Sequence, residues 1–75
     1  MDPLDEAAAA AMNRAGRRIR YLRERSGWSV DELARRSGLP VEILRDVEIG
    51  HADLGLAELS RLAAVLEMPM SALVS

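Results

Sequence analysis

Residues 29–50, with the sequence SVDELARRSGLPVEILRDVEIG, decide the fold of this chain. Ser29 and Glu32 have the spacing of a capping box. In that motif the serine hydroxyl accepts a hydrogen bond from the Glu32 amide, and the glutamate side chain reaches back to Ser29. Gly38 supplies the left-handed residue that ends this first helix. Because proline suits the first position of a helix, Pro40 begins a second one. The stretch therefore predicts two short helices joined by a tight turn.

Two helices joined in this way are the outline of a helix-turn-helix, a unit that usually lays its second helix in the major groove of DNA. On the second helix, Leu44 and Val47 have the spacing of inward-facing residues. The outward positions carry one arginine, two acids and two apolar residues, namely Val41, Glu42, Arg45, Asp46 and Ile49. Carboxylates repel phosphates, so the sequence predicts a DNA-binding scaffold with an unusual contact face.

The segment before this unit predicts one long helix from about Pro3 to Arg25. Asp2 and Pro3 form a start signal, and alanines 7–11 are the strongest helix formers. An apolar face then recurs at helical spacing, with Met12, Ala15, Ile19 and Leu22. Because Asn13 and Gly16 weaken a helix, we expect a division into an N-terminal helical arm, residues 1–13, and a helix-turn-helix domain, residues 14–75.

The segment after the unit predicts two more helices. A buried stripe indicates the fourth helix, with Leu56, Leu59, Leu62, Ala63 and Leu66. Pro69 interrupts the chain, and a last short helix follows with Met70, Leu73 and Val74. Since no segment has a strand pattern, the predicted fold is all-α, a compact five-helix bundle with an N-terminal helical extension.

Composition excludes several classes of protein. A chain of 75 residues, 49% apolar and 29% charged, is typical of one small globular domain. It contains no cysteine, which excludes disulfides, thiolate metal sites and cysteine catalysis, and fits a reducing cytoplasm. No apolar run approaches the roughly 20 residues of a membrane helix, and the acidic start differs from a signal peptide. The sequence therefore predicts a cytoplasmic protein without membrane contact.

The net charge of −2 conceals an uneven distribution. Residues 14–36 hold eight arginines against three acids, whereas the segments on either side are acidic. A basic middle block is one form of a phosphate-binding footprint, and a solvated helix surface is the alternative interpretation. Within this block, Arg17 and Arg18 are the predicted phosphate contacts, with Arg14 beside them.

Residues 16–73 resemble the Cro and lambda-repressor type of helix-turn-helix domain, also called the xenobiotic-response-element family. The resemblance runs without a gap and implies a lambda-repressor-like fold, sequence-specific DNA binding, and repressor-like regulation of transcription by a dimer. It also implies an ion pair between Arg23 and Glu48 that ties the first helix to the end of the third. The matching positions are Gly16, Ile19, Leu22, Arg23, Ser29, Leu33, Ala34, Gly38, Leu44, Val47, Glu48, Gly50, Leu56, Leu59, Leu62, Ala63, Leu66 and Leu73.

The chain departs from the family pattern on the contact face. Val30 stands where the family often has a glutamine, and Asp46 where a polar or basic residue is usual. Serine, glutamine, arginine or threonine is usual at the positions of Val41, Glu42 and Ile43. Arginine, lysine or asparagine is common at the position of Ile49. These departures predict weak DNA binding and leave the predicted fold unaffected.

The residues of this face can still recognise individual bases. Arg45 can donate two hydrogen bonds to a guanine, and Glu42 or Asp46 can accept from the amino group of a cytosine. Val41 and Ile49 can pack on thymine methyl groups. Affinity must then come from helix N-termini, above all at Ser29 and Val30, and from the arginines of the first helix.

Two other interpretations of the same face remain open. Its apolar residues can form a protein-binding patch rimmed by Glu42 and Asp46, as in a repurposed interaction module or an antitoxin-like partner of a second protein. Alternatively, Ile43 and Leu54 are residues at the edge of the core, which we favour for those two. The predicted patch consists of Val30, Val41, Ile43, Ile49 and Leu54.

Two surfaces are candidates for the homodimer that the resemblance implies. One is the last helix, with Met70, Leu73 and Val74. The other is a narrow stripe on the arm, with Leu4, Ala8, Ala11 and Met12, which permits close helix approach. The alternative for the arm is a solvated extension. The chain itself is a stand-alone regulator or a fragment of a longer protein.

We expect no enzyme activity, cofactor, metal or small-molecule ligand. His51, Asp53 and Ser60 are the residue types of a catalytic triad, but a chain this short has little volume for a buried catalytic pocket. Glu48, His51 and Asp53 can hold a metal only if a helix end rearranges. These residues are therefore interpreted as parts of a solvated loop and its flanks.

Overall fold

The computed structural model describes residues 2–75, which form five α-helices and no strand. The helices are α1 (Pro3–Arg25), α2 (Val30–Ser37), α3 (Val41–Glu48), α4 (Leu56–Val65) and α5 (Met70–Val74). This confirms the predicted all-α bundle. None of these helices is both long and apolar enough to cross a membrane.

Each helix sends one fully buried aliphatic side chain into a shared core. These five are Ile19, Leu33, Leu44, Leu62 and Leu73, in chain order from α1 to α5. Around them, α1 packs against α3 and α5, α2 against α3 and α4, and α4 against α5. The core therefore fixes α2 and α3 to each other and to the rest of the bundle.

The long first helix is unbroken, so Asn13 and Gly16 do not interrupt it. The boundary between an arm of residues 1–13 and a domain of residues 14–75 stays a prediction. Gly16 is instead the point where α3 crosses α1. A Cβ atom there would collide with the carbonyl oxygen of Val47 and lie 3.1 Å from its carbonyl carbon. The residue that weakens the helix locally is thus the one that lets another backbone approach it.

The two ends of α2 have the predicted serine cap and left-handed glycine, but half of the capping box is missing. The Ser29 hydroxyl accepts from the Glu32 amide at 3.1 Å, and Gly38 ends α2 with φ of 76°. However, the Glu32 carboxylate does not return to Ser29. It accepts from Arg35 Nε at 2.8 Å and lies 3.4 Å from Arg36 Nε. Two arginines on the next turn of the helix thus compete successfully with the backbone amide.

The last helix is part of the core. Leu73 is completely buried within one chain, so its side chain cannot form a dimer surface as predicted. Met70 and Val74 are half-buried and pack on the same cluster. Because α5 has only five residues and its three large apolar side chains pack inward, none of them is left to form an apolar face on the outside.

Candidate nucleic-acid interface

The orientation of α3 follows from its two buried anchors. Leu44 is fully buried and Val47 nearly so. The residues on the opposite side are therefore held in solvent, and these are Glu42, Arg45, Asp46 and Ile49. Ile49 follows the last residue of α3 and is 59% exposed, which is a high fraction for an isoleucine.

The start of α2 lies beside this face. Asp31, in the first turn of α2, lies 3.9 Å from the guanidinium of Arg45 on α3, and both side chains are exposed. Ser29 is exposed, whereas Val30 and Val41 are half-buried. The structure therefore gathers seven of the predicted DNA-contact residues on one surface, made of Ser29, Val30, Val41, Glu42, Arg45, Asp46 and Ile49. We call this set the α2–α3 surface.

The charge of the α2–α3 surface is negative. Arg45 is its one basic residue, and Asp31, Glu42 and Asp46 surround it on the two helices. An exposed ion pair contributes only about 0–1 kcal/mol, so Asp31 does not lock Arg45 in place. Arg45 is therefore able to leave Asp31 for another acceptor.

The predicted pair of Arg23 and Glu48 is present and anchors the end of α3. Arg23 Nε donates to Glu48 Oε2 at 2.8 Å, and Nη2 donates to Oε1 at 2.9 Å. Its remaining nitrogen, Nη1, donates to the Trp28 carbonyl oxygen at 2.7 Å. The hydrogen bonds to Glu48 raise the pKa of Arg23 above its usual value, despite the opposing effect of burial. One guanidinium thus joins α1, the segment before α2, and α3.

The two α1 arginines of the predicted site have different environments. Arg17 is exposed, and its position next to Gly16 puts its side chain about 100° round α1 from the α3 crossing. Arg18 instead donates through Nη1 to the Ala72 carbonyl oxygen, and to Ser75 Oγ at 2.8 Å. Arg18 therefore holds the C-terminal helix in the free protein, and neither arginine belongs to the α2–α3 surface.

The predicted apolar patch is divided by the geometry of α3. Val41 and Ile43 are two positions apart, which is about 200° round a helix, so they flank opposite sides of it. Ile43 is 40% exposed, more than expected for a residue at the edge of the core. Leu54 is half-buried and packs on the core, in agreement with that expectation. The remaining apolar residues of the patch are Val30, Val41 and Ile49.

Two contacts near the surface were not predicted. The Arg36 guanidinium lies 4.3 Å from the centre of the Trp28 ring, so this arginine stacks on an aromatic face. Asn13 packs against Gly50, where a Cβ atom would be 3.1 Å from the Asn13 Cγ. Both pairs join residues that are not neighbours in a local pattern, which explains why sequence patterns did not indicate them.

Comparison with known proteins identifies the family to which this fold belongs. A family model described as helix-turn-helix matches residues 19–73. The crystal structure of the restriction-modification controller protein C.AhdI from Aeromonas hydrophila matches with a TM-score of 0.78 and 32% sequence identity, over 83% of this chain and 94% of that one. No curated protein sequence matches the chain. The chain therefore belongs to the Cro and lambda-repressor type of helix-turn-helix family, whose members are DNA-binding transcription regulators.

Proposed function

We propose that this protein is a sequence-specific, repressor-like transcription regulator that inserts α3 into the major groove of DNA as a dimer. The observation that carries the proposal is the outward row on α3, with Glu42, Arg45 and Asp46 exposed while Leu44 and Val47 hold the helix on the core. A major groove about 12 Å wide admits such a helix. Similarity to a restriction-modification controller protein supports a regulatory role.

Base recognition in this proposal rests mainly on Arg45. Leaving Asp31 costs little, and a guanine offers Arg45 two acceptors in a geometry worth about 1–3 kcal/mol of discrimination against the wrong base. Glu42 and Asp46 then prefer a cytosine amino group. Because each carboxylate also repels phosphates, the same residues that add selectivity lower the overall affinity.

Phosphate contact comes from two sources. The first-turn amides of α2 at Val30 and Asp31 have no acceptor within their own helix and can donate to a phosphate oxygen. Arg17 is exposed and makes no ion pair with residues 2–75. With so few positive contacts, we expect a weak complex whose affinity depends steeply on salt and on binding by two copies.

Two single variants test this division of roles, with binding measured on a randomised duplex pool and on the sequences it enriches. Arg45→Ala should flatten the preference at one base position in each half-site while binding the random pool almost as before. Arg17→Ala should weaken binding to every duplex alike and reduce the slope of log affinity against log salt by about one for each bound copy. If both variants select and bind DNA like the unchanged protein, the assigned contact surface is wrong.

A second candidate function is a protein-interaction module built on the same fold. The 59% exposure of Ile49 among acids is the observation that favours it. If the unchanged protein retains no duplex even at low salt, the result favours this candidate. Enrichment of a near-palindromic sequence, with affinity that falls as salt rises, favours DNA.

A further inference from the structure

The N-terminal part of α1 extends beyond the bundle. Residues 2–10 are all exposed, and the bundle covers α1 fully only from Ala15 onward. Leu4 is 78% exposed, the largest fraction among the exposed large hydrophobic residues. A helical segment of this kind has solvent on every side and an apolar residue that nothing in residues 2–75 covers.

The apolar residues of this extension lie on one side. Leu4, Ala8 and Ala11 precede Ala15 and Ile19 at the spacing of a single helix face. That face is buried from Ala15 onward, where it enters the core. The extension thus continues the buried face of α1 beyond the end of its own core. Leu4 and Ala8 are exposed, whereas Ala11 and Met12 are half-buried where the extension meets the bundle. We call these four residues, Leu4, Ala8, Ala11 and Met12, the arm stripe.

The charges along α1 are complementary to a reversed copy of the same helix. Asp5 and Glu6 lie in the first turn and Arg14 follows the arm stripe, and none of the three makes an ion pair with residues 2–75. Glu6 and Arg14 are eight residues apart, or about 12 Å along a helix, so they cannot meet within one chain. A second helix that runs in the opposite direction places its acidic first turn near Arg14 of the first helix, and its own Arg14 near the acidic first turn of the first helix.

We propose that the arm stripe binds the arm stripe of a second copy, with the two helices antiparallel and Ala8 on the two-fold axis. Leu4 of each copy then packs on Met12 of the other, and each acidic first turn lies near an Arg14. The alanines between them permit close approach of the two helices. A parallel pair would instead oppose like charges and align the two helix dipoles. This proposal rests on the dimer of the proposed function. It names the interface of that dimer, which forms without DNA.

Cysteine cross-linking tests the arrangement, because the chain has no cysteine of its own. In an antiparallel pair only a residue on the axis meets its own copy. Ala8→Cys should therefore form a disulfide-linked dimer under mild oxidation, since the Cα atoms of a disulfide lie about 4.4–6.8 Å apart. Ala10→Cys, on the opposite side of the same helix, is the matched control and should remain monomeric. Leu4→Cys should not link, because Leu4 meets Met12 of the other copy. Efficient cross-linking through Leu4→Cys as well as Ala8→Cys indicates a parallel pair, in which each stripe residue meets its own copy, and overturns the proposal.

Sedimentation of the full chain without DNA gives an independent measurement. Leu4→Asp should raise the dissociation constant of the dimer at least about tenfold, because both copies lose a buried leucine. Leu56→Asp is the control. Leu56 was predicted to be buried, but as the first residue of α4 it is 74% exposed, which is close to the exposure of Leu4. Circular dichroism should show equal helix content in both variants. A dimer that Leu4→Asp leaves intact, or an unchanged protein that stays monomeric at high concentration, overturns the proposal.

The two proposals fail separately. If Ala8→Cys links and Leu4→Asp dissociates the dimer while no duplex is retained, the arm pairing stands and the DNA function does not. If DNA is bound but Ala8→Cys forms no link and Leu4→Asp leaves the dimer intact, the DNA function stands and the dimer interface lies elsewhere on the chain.

Discussion

At the scale of single residues, Arg23 is the side chain on which the position of α3 most depends. Its guanidinium donates to both carboxylate oxygens of Glu48 and to the Trp28 carbonyl oxygen, and it is largely buried. Removal of one partner leaves the other charge buried without compensation. We expect Arg23→Ala to lower the free energy of unfolding by about 3–5 kcal/mol, as measured by urea denaturation.

Arg20→Ala is the control, since Arg20 pairs with Glu24 at 3.4 Å but both side chains are more than half exposed. This change should cost at most about 1 kcal/mol. Because the pKa of Arg23 is raised, the guanidinium stays charged as pH rises, and on the alkaline side its contribution is lost only when pH passes through the raised pKa of the folded protein. Equal losses of unfolding free energy in the two variants would show that the buried pair stabilises the fold no more than the exposed pair does.

The Arg23–Glu48 pair and the partners of Arg18 differ in how far they could be predicted. Family resemblance implied the pair because both positions belong to a recurrent pattern. Nothing in the sequence connects Arg18 with Ala72, because the two are 54 positions apart and the acceptor is a backbone carbonyl that any residue supplies. Arg18 therefore appeared to be a free cation until the fold brought α5 against α1.

At the scale of elements, the crossing of α1 and α3 depends on Gly16. Alanine is a better helix former than glycine by about 1 kcal/mol, so helix propensity alone predicts that Gly16→Ala stabilises the protein. The collision with the Val47 carbonyl predicts the opposite sign. We expect Gly16→Ala to lower the midpoint of thermal unfolding and to loosen the hold of α1 on α3.

The control for this prediction is Ala7→Gly in the exposed extension of the same helix, which should cost only about 0.5–1 kcal/mol. A rise in thermal stability for Gly16→Ala would mean that the two helices are farther apart than described. The case also shows what local patterns miss. Helix propensity correctly located α1, whereas the reason for a glycine within it lies on another helix.

The boundaries of α2 and α3 were predictable because each has a local chemical cause. Ser29 caps α2, Gly38 adopts the left-handed conformation, and Pro40 starts α3 without a side-chain cap. The partner of the Glu32 carboxylate was not predictable, since a capping box and a salt bridge within the same helix use the same side chain. Sequence patterns located the elements well and the side-chain partners only in part.

At the scale of the whole molecule, two surfaces extend from one small core. The α2–α3 surface is acidic and is the surface that we propose to contact DNA, whereas the arm stripe lies on the extension of α1. Both were recognisable from helical spacing. Helical spacing did not decide between core and surface for Leu73, because an apolar residue has the same pattern in both, whereas the family resemblance includes Leu73 among its matching positions.

The most direct test of the central claim is nuclear magnetic resonance of the 15N-labelled protein during titration with a duplex enriched from a random pool at low salt. If α3 contacts DNA, we expect the largest amide shift changes at residues 29–31 and 41–49, with α4 and α5 almost unchanged. Changes confined to α4 and α5, or no change at any duplex concentration, would contradict the claim that the outward face of α3 contacts DNA.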